Sequence, residues 1–283
     1  MSNSRMRYGA AASLFILALV VGTGTSSADW NPGDPAKWVQ LPDLQNGMDV
    51  NASFRGITSG QFPFIKVLAD DWRCNSTDRV TDIHIWGSWL NNLRDPNVVF
   101  KLSIHDDVPA GVNAPYSHPG QLRWEATFTP TQYAGRRYAT ASERFYDPNQ
   151  DQIIGTDTEV WQYNFLIPAA TAFQQEGTDT APRIYWLDVQ AHVADNTAFG
   201  WKTTQPLPTG QVLLDDAVFA DTETFGGPPL GPAPAPVYWK DMHYPIETPY
   251  QGQSIDLAFV ITPEPASMAL LGLGALALLR RRR

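Results

Sequence analysis

Cysteine is nearly absent. Cys74 stands alone among 283 residues, so no intrachain disulfide can form. A chain of this kind is held together by its core, and the lone thiol reads as a small buried hydrophobe rather than a nucleophile. Charge is also scarce, at 17% of residues, and it leans acidic. Six of the twenty basic residues (Arg5, Arg7 and Arg280 to Arg283) lie in the end segments, while all 29 acids lie at Asp29 or beyond and only Glu264 of them in the tail, leaving a body of net charge about −14. Such a surface repels phosphate backbones and argues against nucleic acid as a partner. It suits divalent cations or neutral polysaccharide better. No window offers a convincing amphipathic helix, apart from one short turn at Ala169 to Glu176, and no repeat period stands out. The histidines His84, His105, His118, His192 and His243 are scattered without metal-motif spacing. Neither a Gly-x-Ser-x-Gly elbow nor a phosphate-binding glycine loop occurs, so no catalytic residue is assigned and the chain does not read as an enzyme.

What the sequence does have is turn residues and aromatics: 21 Gly, 23 Pro, ten Trp and ten Tyr. Aromatics favour strands, and alternating segments recur between the turns. Arg79 to Leu90 places Val80, Asp82, His84 and Trp86 on one face and Thr81, Ile83, Ile85 and Gly87 on the other. Val98 to His105, Gln121 to Phe128, Glu159 to Ile167, Arg183 to Val193 and Ala198 to Lys202 follow the same pattern. So do Gln211 to Phe219, Val237 to His243 and Ser254 to Ile261. Roughly ten strands at this spacing predict an all-β fold, an antiparallel β-sandwich of jelly-roll type, over residues 29–262. Residues 225–236 read as a long Pro/Gly-rich loop within it, because Val237 to Ile261 is too short to fold alone.

The two ends read as addresses. Arg5 and Arg7 precede an apolar run from Ala10 to Val21, and Ser26-Ser27-Ala28 follows, which is the pattern of a secretory signal over residues 1–28 cut between Ala28 and Asp29. At the other end Pro263-Glu264-Pro265 is followed by an apolar stretch from Ala266 to Leu279 and then four arginines. This tail, from Thr262 to Arg283, resembles the PEP-CTERM sorting signal. The resemblance implies an exported cell-surface or extracellular-matrix protein, handled by the secretion machinery and processed by an exosortase-type membrane enzyme. Before processing, the tail would anchor in the membrane as a transient helix over residues 266–279. The arginines would hold their end on the cytoplasmic side. The alternative is an ordinary C-terminal anchor, although the stretch is short of the ~20 residues of a permanent span. The body from Ile65 to Ile261 resembles an uncharacterised domain of exported planctomycete-type proteins. The shared segments are Ala69-Asp70-Asp71-Trp72, Ile83-His84-Ile85-Trp86-Gly87, Trp161-Gln162-Tyr163-Asn164-Phe165, Ile184-Tyr185-Trp186-Leu187 and Phe199-Gly200-Trp201-Lys202. That resemblance implies no activity.

Three patterns could carry chemistry. Asp147, Asn149 and Asp151 alternate like the first ligands of a calcium loop, with Asp157 downstream as a fourth. However, Gln152 stands where such a loop wants Gly, and a polar turn explains the same residues. The pairs Asp70-Asp71, Asp106-Asp107 and Asp215-Asp216 could supply the two carboxylates of a glycoside hydrolase only if separate strands brought them together. Trp86, Trp89, Trp124, Trp161, Trp186, Trp201 and Trp239 lie in expected strands. Most should fill the core, and any left exposed could stack on sugar rings. The functional expectation is therefore a surface protein that binds extracellular polysaccharide. A purely structural envelope protein and a secreted carbohydrate-active hydrolase are the alternatives.

Overall fold

The computed structural model describes residues 29–55, 64–206, 216–230 and 238–262. Within them the strands run β1 (Trp38–Gln40), β2 (Met48–Asn51), β3 (Ser53–Arg55), β4 (Phe64–Cys74), β5 (Arg79–Val80) and β6 (Asp82–Trp89). Then come β7 (Val99–Val108), β8 (His118–Phe128), β9 (Ala134–Asp147), β10 (Gln152–Leu166), β11 (Phe173–Gln174) and β12 (Arg183–His192). The last are β13 (Phe199–Lys202), β14 (Val218–Thr222), β15 (Pro229–Leu230), β16 (Lys240–Asp241) and β17 (Phe259–Ile261). The secretory segment, the Pro-Glu-Pro box and the apolar tail lie outside the described residues, as does Asp215. Among the described residues, no helix is long and apolar enough to cross a membrane.

The strands form a sandwich of two main sheets. One has the order β1-β17-β6-β10-β9-β2-β13 and the other β15-β14-β4-β3-β12-β7-β8. The expected all-β sandwich is therefore present, but its sheets are mixed, because β2 pairs parallel to β9 and β3 parallel to β12. Both parallel partners are very short. They fill gaps at the ends of longer antiparallel ladders, where local alternation alone sets no direction.

The alternation in β6 is realised. Ile83, Ile85 and Trp89 enter the main core, while Trp86 packs on the opposite side with Trp30, Val160 and Ala258. The core between the sheets is aromatic: Phe100 meets Tyr163, Phe165 and Phe199 at ring distances of 5.0, 5.3 and 5.1 Å. Each such side chain contributes roughly 1.5–3 kcal/mol by leaving water, which a disulfide-free domain requires. Cys74 is buried here, its Sγ 3.0 Å from Ser76 O. The Ala169 to Glu176 segment makes one turn, with Ala172 N–H donating to Pro168 O. It then enters β11, which pairs with β5.

The first sheet also closes on itself. β6 pairs with β10, β10 with β9, β9 with β2, β2 with β13, and β13 returns to β6. One edge of β6 is shared to make this possible: Ile83 to Ile85 pair with β17, and Gly87 to Trp89 with β13. The ring has an interior of its own, separate from the core between the sheets. Gly200 faces it, since a Cβ there would lie 2.7 Å from Asp49 Cβ and 2.9 Å from the Phe145 ring.

Candidate functional site

The ring interior is polar. Asp49 (β2), Glu143 (β9) and Asp157 (β10) converge with ligand-type oxygens within 4.8 Å of one another, and all three are buried. That spacing would suit a divalent cation, but a cation is already built in. Lys202 (β13), fully buried, places Nζ 2.7 Å from Glu143 Oε1. Strand register explains the meeting, since Lys202 lies directly opposite Asp49, which in turn lies beside Phe145, two residues from Glu143. Ser88 on β6 lies against Asp49 and Asp157.

Three carboxylates and one ammonium would leave two uncompensated charges away from water, which is costly. Protonation relieves this. Burial, reinforced by the charge of Asp49, pushes Glu143 and Asp157 each up to about 9, and burial raises Asp49 as well. While all three are ionised, their six oxygens share the Ser88 hydroxyl and the Lys202 ammonium and are short of a hydrogen-bond donor. A protonated carboxyl supplies one.

A polar cleft of ≈ 560 Å³ opens on the other sheet, lined by Asp106, Asp107, Arg123, Glu176, Arg183 and Tyr185 among others. Arg123 (β8) spans it, with Nη1 3.2 Å from Asp106 and Nη2 3.0 Å from Glu176. Behind the cleft, the Trp186 indole N–H donates to Asp107 at 2.9 Å and the Glu176 backbone N–H donates to the Tyr185 hydroxyl. A second groove of ≈ 570 Å³ runs past Val39, Leu41, Leu44 and Pro206. Its one acid, Asp43, accepts from the Tyr250 hydroxyl and the Gln45 and Asn46 amides.

The residues singled out in the sequence fall in different places. Asp147, Asn149 and Asp151 lie at the β9–β10 hairpin. There Asp147 Oδ1 accepts the Asn149 amide, Asn149 Nδ2 donates to Asp221, and Asp151 adopts φ 50° while accepting the Tyr146 hydroxyl. Asp157 is not with them; it belongs to the ring interior. Asp70 is buried in β4. Burial and then neighbouring Asp71 hold it well above the usual carboxylate range, although the Leu257 amide and Gln40 donate to it. Asp106 and Asp107 border the cleft. Asp216 lies at the edge of the described residues.

The histidines pair locally: His84 with Asn164 and Asp82, His105 with Asp188 and Gly120 O, and His118 with Asn113. His192 packs against Phe225, and His243 lies 3.7 Å from Asp241. None of the ten tryptophans is exposed. Trp38, Trp124 and Trp161 are half-buried, with Trp161 under the Arg94 guanidinium at 4.1 Å, and Trp239 sits just before β16 rather than in a strand. Asp49, Glu143 and Lys202 went unnoticed in the sequence. The one local sign was a lysine closing the apolar segment Phe199-Gly200-Trp201.

These features define a class: an all-β sandwich closed on one side into a small ring, with an address attached. Residues 262–283 match the PEP-CTERM protein-sorting motif, which directs a chain to the cell surface. Residues 36–262 match the family described as a domain of unknown function, DUF7901, and the chain belongs to that family. No curated protein and no solved structure matches it.

Proposed function

We propose that the chain is a surface-displayed domain that holds extracellular polysaccharide in the cleft beside Arg123. The observation that carries this reading is the cleft itself. A guanidinium fixed between Asp106 and Glu176 presents N–H donors and carboxylate acceptors at set spacings, the complement of neighbouring sugar hydroxyls. Recognition runs through hydrogen bonds rather than ring stacking, because every tryptophan is at least half-buried. The acidic body favours a neutral glycan over an anionic one. Delivery completes the reading: residues 1–28 are removed between Ala28 and Asp29, and an exosortase-type enzyme processes the tail after Pro263, Glu264 and Pro265 have been recognised.

A glycan array probed with residues 29–262, with the producing cell's own exopolysaccharide included, tests it. Binding that Arg123→Ala abolishes is the expected result, and a flat response on every glycan sinks the reading. A structural envelope role is the second reading, favoured by the lack of any fully exposed tryptophan. A flat array combined with retained association with isolated envelopes would support it.

A further inference from the structure

Inside the ring, an amine and a carboxyl are pressed together out of reach of bulk solvent. Lys202 Nζ and Glu143 Oε1 are 2.7 Å apart, with side chains 0% and 2% exposed. The amine and the carboxyl are thus held in direct contact, with Asp49 against the same carboxyl. The two side chains come from strands on opposite sides of β2, one from β13 and one from β9, so the backbone fixes their approach. Such fixed proximity replaces the encounter step of a bimolecular reaction.

We propose that Lys202 and Glu143 become joined by an amide bond between Nζ and Cδ, an internal cross-link that ties β13 to β9 across β2. The step balances without any external reagent. The ammonium of Lys202 gives a proton to a neighbouring carboxylate, and the free amine adds its lone pair to Cδ of the protonated Glu143 carboxyl. One C–O bond then breaks, and the departing hydroxyl takes up a proton that Nζ releases through the adjoining carboxyl of Asp49 or Asp157. One water leaves, and nothing is oxidised or reduced.

The surroundings fit each part of this step. Burial first, and then the charge of Asp49, hold Glu143 in its neutral, electrophilic form at neutral pH. Asp49 and Asp157 are within reach to relay the proton and are raised in the same direction. The two side chains are closed to bulk solvent, which slows the reverse hydrolysis. A chain with one cysteine has no disulfide to perform the same stapling. The proposal stands independently of the polysaccharide reading.

Peptide mapping of the purified full chain by mass spectrometry tests it. If the bond forms, trypsin cannot cut after Lys202. Residues 184–240 then stay in one piece, joined to residues 138–144, and the pair is lighter by one water than its two sequences. Lys202→Arg keeps a cation but has no Nζ, and should return residues 138–144 as a free peptide of full mass. Free, full-mass release of residues 184–202 and 138–144 from the unaltered chain overturns the proposal. An ion pair alone, or a metal cation held by the same carboxylates, gives that result.

Discussion

At the scale of single residues, two positions make sharp demands. Gly87 sits where β6 meets β13, and a Cβ there would lie 2.3 Å from Gly200 O and 2.4 Å from the Phe199 ring. Neither a backbone carbonyl nor a ring packed among other rings can retreat, so Gly87→Ala should cost about 1–3 kcal/mol of overpacking. Equilibrium denaturation measures this, and an unchanged midpoint would show that the β6–β13 contact is looser than described. His105 is different because its two ring nitrogens both face acceptors, Asp188 Oδ2 at 2.9 Å and Gly120 O at 3.1 Å. Burial works against its charged form, but the Asp188 hydrogen bond and charge outweigh it, and the imidazole is raised above 6.5. A group raised on folding contributes fully below its unfolded value and loses that contribution as pH rises through its folded value. The stability of the wild type over His105→Asn should therefore be greatest below pH ~6.5 and shrink above it. Melting curves across that range check this, and a pH-independent difference would mean that the ring is held neutral.

At the scale of elements, the ring β6–β10–β9–β2–β13 makes its own prediction through Asp157. Burial raises this carboxyl from 3.8 to about 9, so the native state keeps a proton that the unfolded chain releases. Stability attached to that proton is complete at low pH and is lost as pH climbs toward 9. Asp157→Asn keeps the neutral form at every pH. Denaturant melts at pH 5 and pH 8 should show the variant gaining on the wild type by more than ~1 kcal/mol, since one proton is worth ~1.4 kcal/mol per pH unit. Parallel profiles would mean that Asp157 is ionised in the fold. The elements legible in the sequence were those with one clean apolar face, such as β6, β7 and β12. The 14-residue β9 escaped notice because Arg137, Thr140, Ser142 and Arg144 leave it with many exposed polar positions, while its buried positions include Glu143. Lys66, Asp70 and Asp71 masked β4, where Asp221, Gln40 and the Leu257 amide provide partners from distant segments. The ring cluster was illegible for a related reason. Asp49, Glu143 and Lys202 are far apart in sequence, and only pairing order brings them together. The cleft escaped for the same reason, except that the Asp106-Asp107 pair marked one of its walls.

At the scale of the whole molecule, the boundary between body and address can be located by what holds the last strand. β17 is an interior element, inserted between β1 and β6 through Phe259, Val260 and Ile261, all fully buried. Thr262 is still buried, and its N–H donates to Asp82 O at 3.3 Å. The sorting motif begins at residue 262, so the address starts where the fold stops being paired. A chain ending at residue 262 should melt as the longer chain does, because no described contact is removed. Ending it at residue 258 removes three buried apolar side chains at roughly 1.5–3 kcal/mol each. It also leaves Ile83 to Ile85 and β1 without their ladder partner, a loss comparable to the whole stability of a typical domain. The shorter chain should therefore be unfolded, with near-ultraviolet circular dichroism from its tryptophans collapsed. In cells, the chain ending at 262 should lose surface display and appear in the medium as a folded domain, separating sorting from folding in one experiment. Should that chain stay on the surface, the body itself adheres there, and the cleft beside Arg123 becomes the first place to mutate.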